Sequence, residues 1–306
     1  MGTLQNIGVL AHPHRPSTAP LAERVAQSLQ ARGIDSWVRT AWNAVNAQPL
    51  VEHSDLVIAI GGDGSMLRTA RVCAPYGVPI LGINMGHLGF LTEIIPEVWE
   101  MAIDRLIDGD YWLEERMMIQ CEVWHQDECV TTEDALNDVV ISRGAVAKSV
   151  HLESYINDHW TTTYNADGLI IATPTGSTAY ALAVGGPILP PELKNILMIP
   201  VAPHLSMDRP LVLAQESVVK VIVAPRSFEP EVVVTVDGEL VGSMNTHDYI
   251  TVRASDQSSL FVRLRESNYF FRSILDRLEP RLAMRHSPSN HQEAPREVQE
   301  SAADKE

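Results

Sequence analysis

The chain has little of what disulfide-stabilised or membrane-spanning proteins need. Its three cysteines, Cys73, Cys121 and Cys129, are an odd number without a Cys-x-x-Cys pair, which argues against a disulfide framework and favours a reducing compartment. No run approaches the roughly 20 apolar residues that span a bilayer. Residues 1–13 lack the basic region and the long apolar core of a secretory leader. We therefore expect a cytoplasmic protein without a membrane partner.

Positive charge is also scarce. The 306 residues include 23 Lys and Arg against 39 Asp and Glu, which gives a net charge of −16 and an isoelectric point near 5.1. An acidic chain of this kind repels nucleic acid and anionic membranes, so neither is an expected partner. A polyphosphate ligand would have to be held by backbone N–H groups, a metal ion and a few well-placed cations.

What is present is a strand, a glycine turn and a helix start between residues 55 and 71, DLVIAIGGDGSMLRTAR. The continuous apolar run at 56–60 predicts a strand covered on both faces of a parallel sheet. Glycine lets a ligand approach the main chain, Ser65 is expected to cap the helix, and N–H groups at a helix start attract anions. Many α/β proteins have such a turn and bind nothing there, so the motif needs support from its context. The residues of the predicted phosphate or ATP site are Gly61, Gly62, Gly64 and Ser65.

Asp63 stands out in this turn, because a carboxylate among phosphates repels them unless it has a task. It could accept a proton during a reaction, or act through a metal ion. His12 and His14 lie beside prolines and invite a metal site too, but nothing near them in the sequence completes a ligand set. We therefore assign no metal-binding side chain.

The residue pattern of the chain changes near residue 112. Before residue 112, apolar strands alternate with amphipathic helices, which predicts an α/β domain with a parallel, Rossmann-like sheet. The glycine-rich loop at 84–93 follows one of these strands, at the edge where open α/β sheets bind ligands. After residue 111, short β-branched segments recur every dozen residues or so, which predicts a β-rich, sandwich-like domain. The segment 173–191 interrupts them, and a short helix is expected near residues 177–183.

These patterns predict the organisation of the whole chain. Residues 270–278 return to a helical pattern, and the polar sequence from residue 286 lacks any periodicity. The expected units are an α/β domain at 1–112, completed by the helix at 270–280, a β-rich domain at 113–269 and a disordered acidic tail at 286–306.

Four sequence blocks resemble those of a known family: AIGGDGSMLRTAR, LGINMGHLGFLTE, ALNDVVISRG and DGLIIATPTGSTAYALAVGGPIL. With them the chain resembles the ATP-dependent NAD kinases from residue 7 to about residue 278. The resemblance implies transfer of the γ-phosphoryl of ATP to the 2′-hydroxyl of the adenosine ribose of NAD, which gives NADP. It also implies Mg²⁺ or another divalent cation, held mainly through the ATP phosphates, and a homodimer or homotetramer.

The resemblance assigns roles to individual residues. Asp63 matches the catalytic aspartate, and Gly64 lies against the dinucleotide. Asn137 and Asp138 match a pair, often Asn-Glu, that holds the adenosine ribose, and Asp167 matches the carboxylate that meets the nicotinamide end. The other implied NAD contacts are Arg68, Lys148, Thr178, Ala179, Tyr180, Ala181, Leu182 and Ala183, of which 178–180 line the adenine side.

The chain departs from the family pattern at a few positions. Ser65 stands where the family usually has Thr, which keeps a hydroxyl. Asn165 stands where some members have Arg, so a charged contact is missing. Glu239 stands where Gln is common, so the resemblance assigns no role to this residue.

Each candidate residue also has a purely structural interpretation. Asp167-Gly168 and Asp237-Gly238 could be hairpin turns, since Asp-Gly is favoured there. Asn137 could be a turn residue, and Tyr180 could be a core residue. The joint pattern favours the functional interpretation for Asp167, Asn137 and Tyr180, but not for Asp237.

Two other functions compete with the kinase. A non-catalytic NAD(H)- or NADP(H)-binding module would have no need of a carboxylate among phosphates. A lipid or sugar kinase could share the GGDG turn but would not carry the fourth block. Whether inorganic polyphosphate also serves as donor, and whether NADH is accepted, stays open.

Overall fold

The computed structural model describes residues 4–40, 44–86, 89–144, 148–225 and 232–278. In the first part of the chain, strands and helices alternate as the apolar pattern predicts. These elements are β1 (Asn6–Ala11), α1 (Ala19–Ala31), β2 (Asp35–Arg39), α2 (Ala44–Val51), β3 (Leu56–Gly61), α3 (Asp63–Cys73), β4 (Ile80–Asn84) and α4 (Trp99–Ile107).

The rest of the chain is mostly strand, and a single-turn helix interrupts it at the position expected from the sequence. The strands are β5 (Trp112–His125), β6 (Glu128–Ala135), β7 (Asp138–Arg143), β8 (Val150–Ile156), β9 (His159–Ala166), β10 (Gly168–Ala172), β11 (Asn195–Val201), β12 (Leu211–Ala214), β13 (Val219–Val223), β14 (Val232–Val236), β15 (Glu239–Met244) and β16 (Tyr249–Arg263). The helices are α5 (Tyr180–Ala183) and α6 (Tyr269–Leu278).

Within the described ranges, ten strands form the first sheet, in the order β2-β1-β3-β4-β16-β13-β8-β9, with β5 paired to β16 and β6 to β5. Strands β1 to β4 are parallel, and β3 and β4 are buried along their full lengths because helices cover both faces. Strand β16 pairs with β13 near one end and with β4, through Phe261 and Ile80, near the other. The parallel and antiparallel parts therefore share one continuous sheet, which the sequence did not predict.

A second, antiparallel sheet has the order β12-β11-β10-β7-β14-β15 across the described strands. Burial alternates along β8, β13 and β14, since one face of each strand meets the core and the other does not. Side chains of both sheets fill one apolar core, with Ile119 from the first and Ile141 from the second among its fully buried members. The expected α/β part with a parallel sheet and the β-rich, sandwich-like part are confirmed.

Some details differ from the expectations or lie beyond them. Helix α2 lies in a segment for which the sequence patterns predicted no element, and it contains Pro49, which lacks the N–H that a helix interior uses. The division near residue 112 and the assignment of the 270–280 helix to the first domain stay predictions, and the expected tail at 286–306 lies outside the described residues. No described helix combines the length and the apolar character that a bilayer crossing requires.

Candidate functional site

The glycine turn joins the buried strand β3 to helix α3 at the carboxyl edge of the parallel strands. A Cβ on Gly61 would lie 2.0 Å from Ser65 Oγ, so this position tolerates only glycine without rearrangement. The helix begins at Asp63 with Gly62 as its N-cap, and the expectation that Ser65 caps it is wrong. Ser65 is instead buried in the first turn. N–H groups of a first helical turn have no carbonyl partner within the helix, which suits this end to an anion.

The Asp63 carboxylate is fixed by three main-chain N–H groups of residues 90–92, and we call residues 89–92 the carboxylate loop. Phe90 donates to Oδ2 at 2.8 Å, Leu91 to Oδ1 at 3.1 Å and Thr92 to Oδ1 at 3.4 Å. A Cβ on Gly89 would lie 1.8 Å from Oδ1, so only glycine allows this approach. The turn and the glycine-rich loop, separate motifs in the sequence, therefore form one unit.

Hydrogen bonds to the side chains of Asn84 and Thr92 support the carboxylate loop. Asn84 Nδ2 donates to Thr92 Oγ1 at 3.1 Å, and the Gly89 N–H donates to the same oxygen at 2.8 Å. The Gly86 N–H donates to Asn84 Oδ1 at 2.9 Å. The loop thus has internal support for the position in which it meets the aspartate.

A second aspartate organises the other half of the site. Asp237 accepts the main-chain N–H groups of Leu136 at 2.9 Å, Asn137 at 2.7 Å and Asp138 at 3.2 Å. Its φ of 50° and the φ of 80° at Gly238 are those of a tight hairpin turn between β14 and β15. The hairpin interpretation is therefore right, but it missed that the side chain anchors the segment 136–138.

Two carboxyl groups meet at this anchor. Burial, followed by the charge of Asp237, raises the pKa of Asp138 from 3.8 to about 7. Burial also raises the pKa of Asp237, against the lowering effect of its three N–H donors and of Arg71. Near neutral pH, Asp138 is therefore partly protonated and can donate as well as accept a hydrogen bond.

Residues 173–180, the TPTGSTAY segment, pack on the same anchor. Thr173 N–H donates to the Asn137 carbonyl at 2.9 Å, and Thr173 Oγ1 donates to the Leu136 carbonyl at 2.5 Å. A Cβ on Gly176 would lie 2.1 Å from the Asn137 carbonyl oxygen. The third and fourth sequence blocks thus meet through main-chain contacts that only small residues permit.

Two cavities open side by side along these elements and share Leu67, Asp237 and Gly238. The smaller, about 180 Å³, is lined by Gly64 and Arg68 among others, and the larger, about 360 Å³, includes alternate residues of β7. Tyr180, which could have been core, is 44% exposed. The predicted site residues that line the larger cavity are Asn137, Asp138, Ala179 and Tyr180.

Two arginines of α3 face the smaller cavity and share one carboxylate. Arg68 Nε lies 3.1 Å from Glu239 Oε1, and Arg71 Nη1 lies 2.8 Å from Glu239 Oε2. Arg71 also donates to the Val236 carbonyl at 3.2 Å. Glu239, at the position where the resemblance left a question, therefore holds both arginines at the cavity.

His12 also lines the smaller cavity, although the sequence suggested only a weak metal site for it. Its Nδ1 accepts the His14 N–H at 3.0 Å. Burial, with Arg15 and Arg68, lowers the pKa of His12, so the ring is neutral near pH 7 and its Nε2 carries the hydrogen. Among the described residues, no group of three or more His, Cys, Asp or Glu is arranged to hold a metal ion.

Other predicted residues lie outside both cavities. Asp167 forms an ion pair with Arg143, with 3.2 Å between Oδ1 and Nε, at the far end of β7 from Asp138. That strand length is roughly 17 Å. Lys148 is exposed, and neither cavity includes it. The remaining predicted residues that line neither cavity are Gly61, Gly62, Asp63 and Ser65 of the glycine turn, together with Thr178, Ala181, Leu182 and Ala183.

A glycine turn at a helix start, a fixed carboxylate and the larger cavity, which we call the groove, define a site suited to a phosphorylated ligand. Comparison with known proteins gives the family. Residues 7–111 match the ATP-NAD kinase N-terminal domain, and residues 136–264 match the ATP-NAD kinase C-terminal domain. The chain therefore belongs to the ATP-NAD kinase family.

Individual relatives agree with this assignment. The chain is 35% identical to an NAD kinase of Dehalococcoides mccartyi over 90% of its own length and 96% of that protein. It is 39% identical to an NAD kinase of Caldanaerobacter subterraneus subsp. tengcongensis, over 73% of its own length and 78% of that protein. Yeast NADH kinase complexed with NADH has a TM-score of 0.81 at 25% identity, covering 91% of this chain and 88% of that one. An Archaeoglobus fulgidus NAD kinase in complex with ATP shares the fold, with a TM-score of 0.71 at 24% identity. The match covers 89% of this chain and 98% of that one.

Proposed function

We propose that this chain is an NAD kinase that transfers the γ-phosphoryl of ATP to the 2′-hydroxyl of the adenosine ribose of NAD, forming NADP. The observation that carries the proposal is the placement of Asp63. Its carboxylate is fixed at the glycine turn, next to Gly64, which lines the smaller cavity, and that cavity adjoins the groove lined by Asn137 and Asp138, in a member of the ATP-NAD kinase family. The comparisons give no support to a non-catalytic NAD(P)-binding module.

Asp63 is suited to orient the attacking hydroxyl. A carboxylate has about four acceptor positions, and three main-chain N–H groups occupy three of them. One position is left for the ribose hydroxyl. A carboxylate is a weak base for an alcohol, but in a loose transition state the proton leaves late, so Asp63 need only orient the hydroxyl and accept that proton as the new bond forms.

The donor phosphates belong at the helix start. Main-chain N–H groups of the glycine turn, the predicted site of Gly61, Gly62, Gly64 and Ser65, favour anions, and Arg68 adds a positive charge at the cavity. Both Asp63 oxygens already accept N–H groups, and Mg²⁺ commonly keeps water and phosphate ligands. The residues therefore fit a cation carried mainly by ATP, where it neutralises charge on the transferring phosphoryl group.

NAD fits along β7. Asn137 and Asp138 would hold the adenosine ribose next to the phosphate end, and the exposed Tyr180 ring offers a flat surface to the adenine. Ser142 lines the same groove farther along β7, and Asp167 lies beyond it. An extended dinucleotide can span that distance, so Asp167 would meet the nicotinamide end.

An NADP assay tests the proposal. Purified protein is incubated with NAD or NADH and with ATP, another nucleoside triphosphate or inorganic polyphosphate, each with and without Mg²⁺. We expect NADP from NAD with ATP and Mg²⁺. NAD binding in calorimetry without any product would support the binding module instead.

Assembly and location are part of the same proposal. Family resemblance supports a homodimer or homotetramer in the cytoplasm. Sedimentation analysis of the purified chain at micromolar concentration would show a monomer if the first expectation is wrong.

A further inference from the structure

A buried series of charged side chains begins at the carboxylate loop. Arg263 is fully buried, and its Nη1 donates to the Leu91 carbonyl at 2.9 Å. The N–H of the same Leu91 holds Asp63. On its other side the guanidinium meets Glu114 Oε2, at 2.8 Å from Nε and 2.7 Å from Nη2.

Arg116 continues the series to the other half of the site. Its Nη2 lies 2.9 Å from Glu114 Oε2, and its Nη1 donates to Thr175 Oγ1 at 3.1 Å. Thr175 is 6% exposed and belongs to the TPTGSTAY segment, which packs on Asn137. Hydrogen bonds and ion pairs therefore connect the carboxylate loop with the segment that supports the ribose end of the groove.

Stability alone does not account for this arrangement. Arg116, Arg263, Glu93 and Glu114 are all buried, and removing charges from water costs about as much as their pairing returns. Burial alone would raise the pKa of Glu114, but Arg263 and Arg116 hold it below its usual value, so the carboxylate stays charged. Both guanidinium carbons also face the Phe261 ring, at 5.9 and 5.2 Å from its centre, which fixes their positions.

We infer that Arg116 and Arg263, joined through Glu114, are positioning residues that set the distance between Asp63 and the ribose-holding Asn137. Phosphoryl transfer depends on alignment of the attacking oxygen, and a shift of about 1 Å can reduce a rate by about 10²-fold. The inference rests on the proposed NAD kinase activity, and it assigns to this series the relative placement of the two halves of that site.

The test uses two variants of different severity in the NADP assay. Thr175→Val keeps the side-chain shape and removes the oxygen that accepts from Arg116. We expect kcat to fall by roughly 3- to 10-fold, with KM values for NAD and ATP within about 2-fold of wild type. Arg116→Met should reduce kcat further, by roughly 10- to 100-fold. Ser154→Ala, which removes a fully buried hydroxyl elsewhere in the sandwich, is the matched control and should leave kcat near wild type.

A double variant separates positioning from general damage to the fold. If Thr175 acts through the placement of Asp63, Thr175→Val should change kcat less than about 2-fold when Asp63 is already Asn, because effects of residues acting as a unit are not additive. Full additivity would overturn the inference, as would wild-type kcat in Thr175→Val. If Arg116→Met does not fold, the Thr175 comparison decides. A wild type that makes no NADP would overturn the proposed function instead.

Discussion

Asp63 in the parallel part of the molecule and Asp237 in the antiparallel part use the same hydrogen bonding. Each carboxylate accepts three main-chain N–H groups from one short distant segment, 90–92 for Asp63 and 136–138 for Asp237. Their surroundings differ. Asp63 begins a helix at a glycine turn, whereas Asp237 lies in a hairpin with left-handed backbone. We propose that Asp63 is a reacting group and Asp237 a support, because only Asp63 lies at the proposed phosphate end.

The largest effect is expected at Asp63. Asp63→Asn keeps the size and one accepting oxygen, but it cannot take the proton and its NH2 faces at least one of the N–H groups that the carboxylate accepts, so kcat should fall by roughly 10²- to 10⁴-fold. NAD affinity should change far less, because the lost interaction strengthens mainly in the transition state. Steady-state NADP formation beside calorimetry of NAD binding measures both. Near-wild-type turnover would reduce Asp63 to a support like Asp237.

A methyl group at Gly89 should act through the same carboxylate. Gly89→Ala puts a Cβ 1.8 Å from Asp63 Oδ1, so the carboxylate must move. We expect kcat to fall by roughly 10- to 100-fold. Gly86→Ala, three residues before Gly89, would place its Cβ 3.8 Å from the nearest atom and serves as the control. Equal activity in the two variants would show that the position of Asp63 is not critical.

Substitution of Asp237 should reduce the free energy of unfolding and the binding of NAD more than it reduces kcat. Asp237→Gly keeps a residue that accepts the left-handed turn but leaves three N–H groups without their acceptor, so the free energy of unfolding should fall by roughly 2 kcal/mol. The KM for NAD should rise, with kcat at saturation within about 3-fold of wild type. Asp158→Gly, at another hairpin with a φ of 63°, is the matched control in urea unfolding. A loss of kcat as large as that of Asp63→Asn would abolish the distinction between the two aspartates.

The pKa of Asp138 predicts a pH-dependent stability. Because its native pKa of about 7 exceeds the usual 3.8, the native state holds the proton more tightly, and this contribution is present below pH 4 and lost as pH rises to 7. Asp138→Asn lacks the titration, so its unfolding free energy relative to wild type should grow by roughly 2–4 kcal/mol between pH 4 and pH 8. Urea unfolding of both proteins at pH 4, 6 and 8 measures this difference in unfolding free energy. If the unfolding free energies of Asp138→Asn and wild type changed equally with pH, the native pKa of Asp138 would be near its ordinary value.

The smallest effect is expected at Asp167. Asp167→Ala removes the carboxylate that lies beyond the groove, at the far end of β7 from Asp138, and its ion pair with Arg143. The KM for NAD should rise several-fold, roughly 3- to 10-fold, and the KM for ATP should stay nearly unchanged. The reverse pattern would place Asp167 at the donor end.

The residues that sequence reasoning missed are those whose role depends on a distant partner. Gly89 could have been singled out, since it belongs to a glycine-rich loop after a strand, but nothing local shows that its missing Cβ makes room for Asp63. From the sequence alone, Arg71 is interpreted as an ordinary helix residue and Asp237 as a turn residue. Their contacts at the site join residues about 100 or more positions apart, and no local pattern records such pairing.

The sequence by itself determined the parallel α/β part, the β-rich part and the turn at which Asp63 lies. Apolar periodicity and glycine punctuation act within a few residues, where backbone sterics and burial of one face decide the local structure. Only the tertiary structure decided that β16 joins both parts in one sheet, that Asp63 is held by the carboxylate loop, and that Asp237 anchors Asn137. These are long-range pairings, fixed by which strands become neighbours and in which register, because a shift of one residue would turn every side chain to the opposite face.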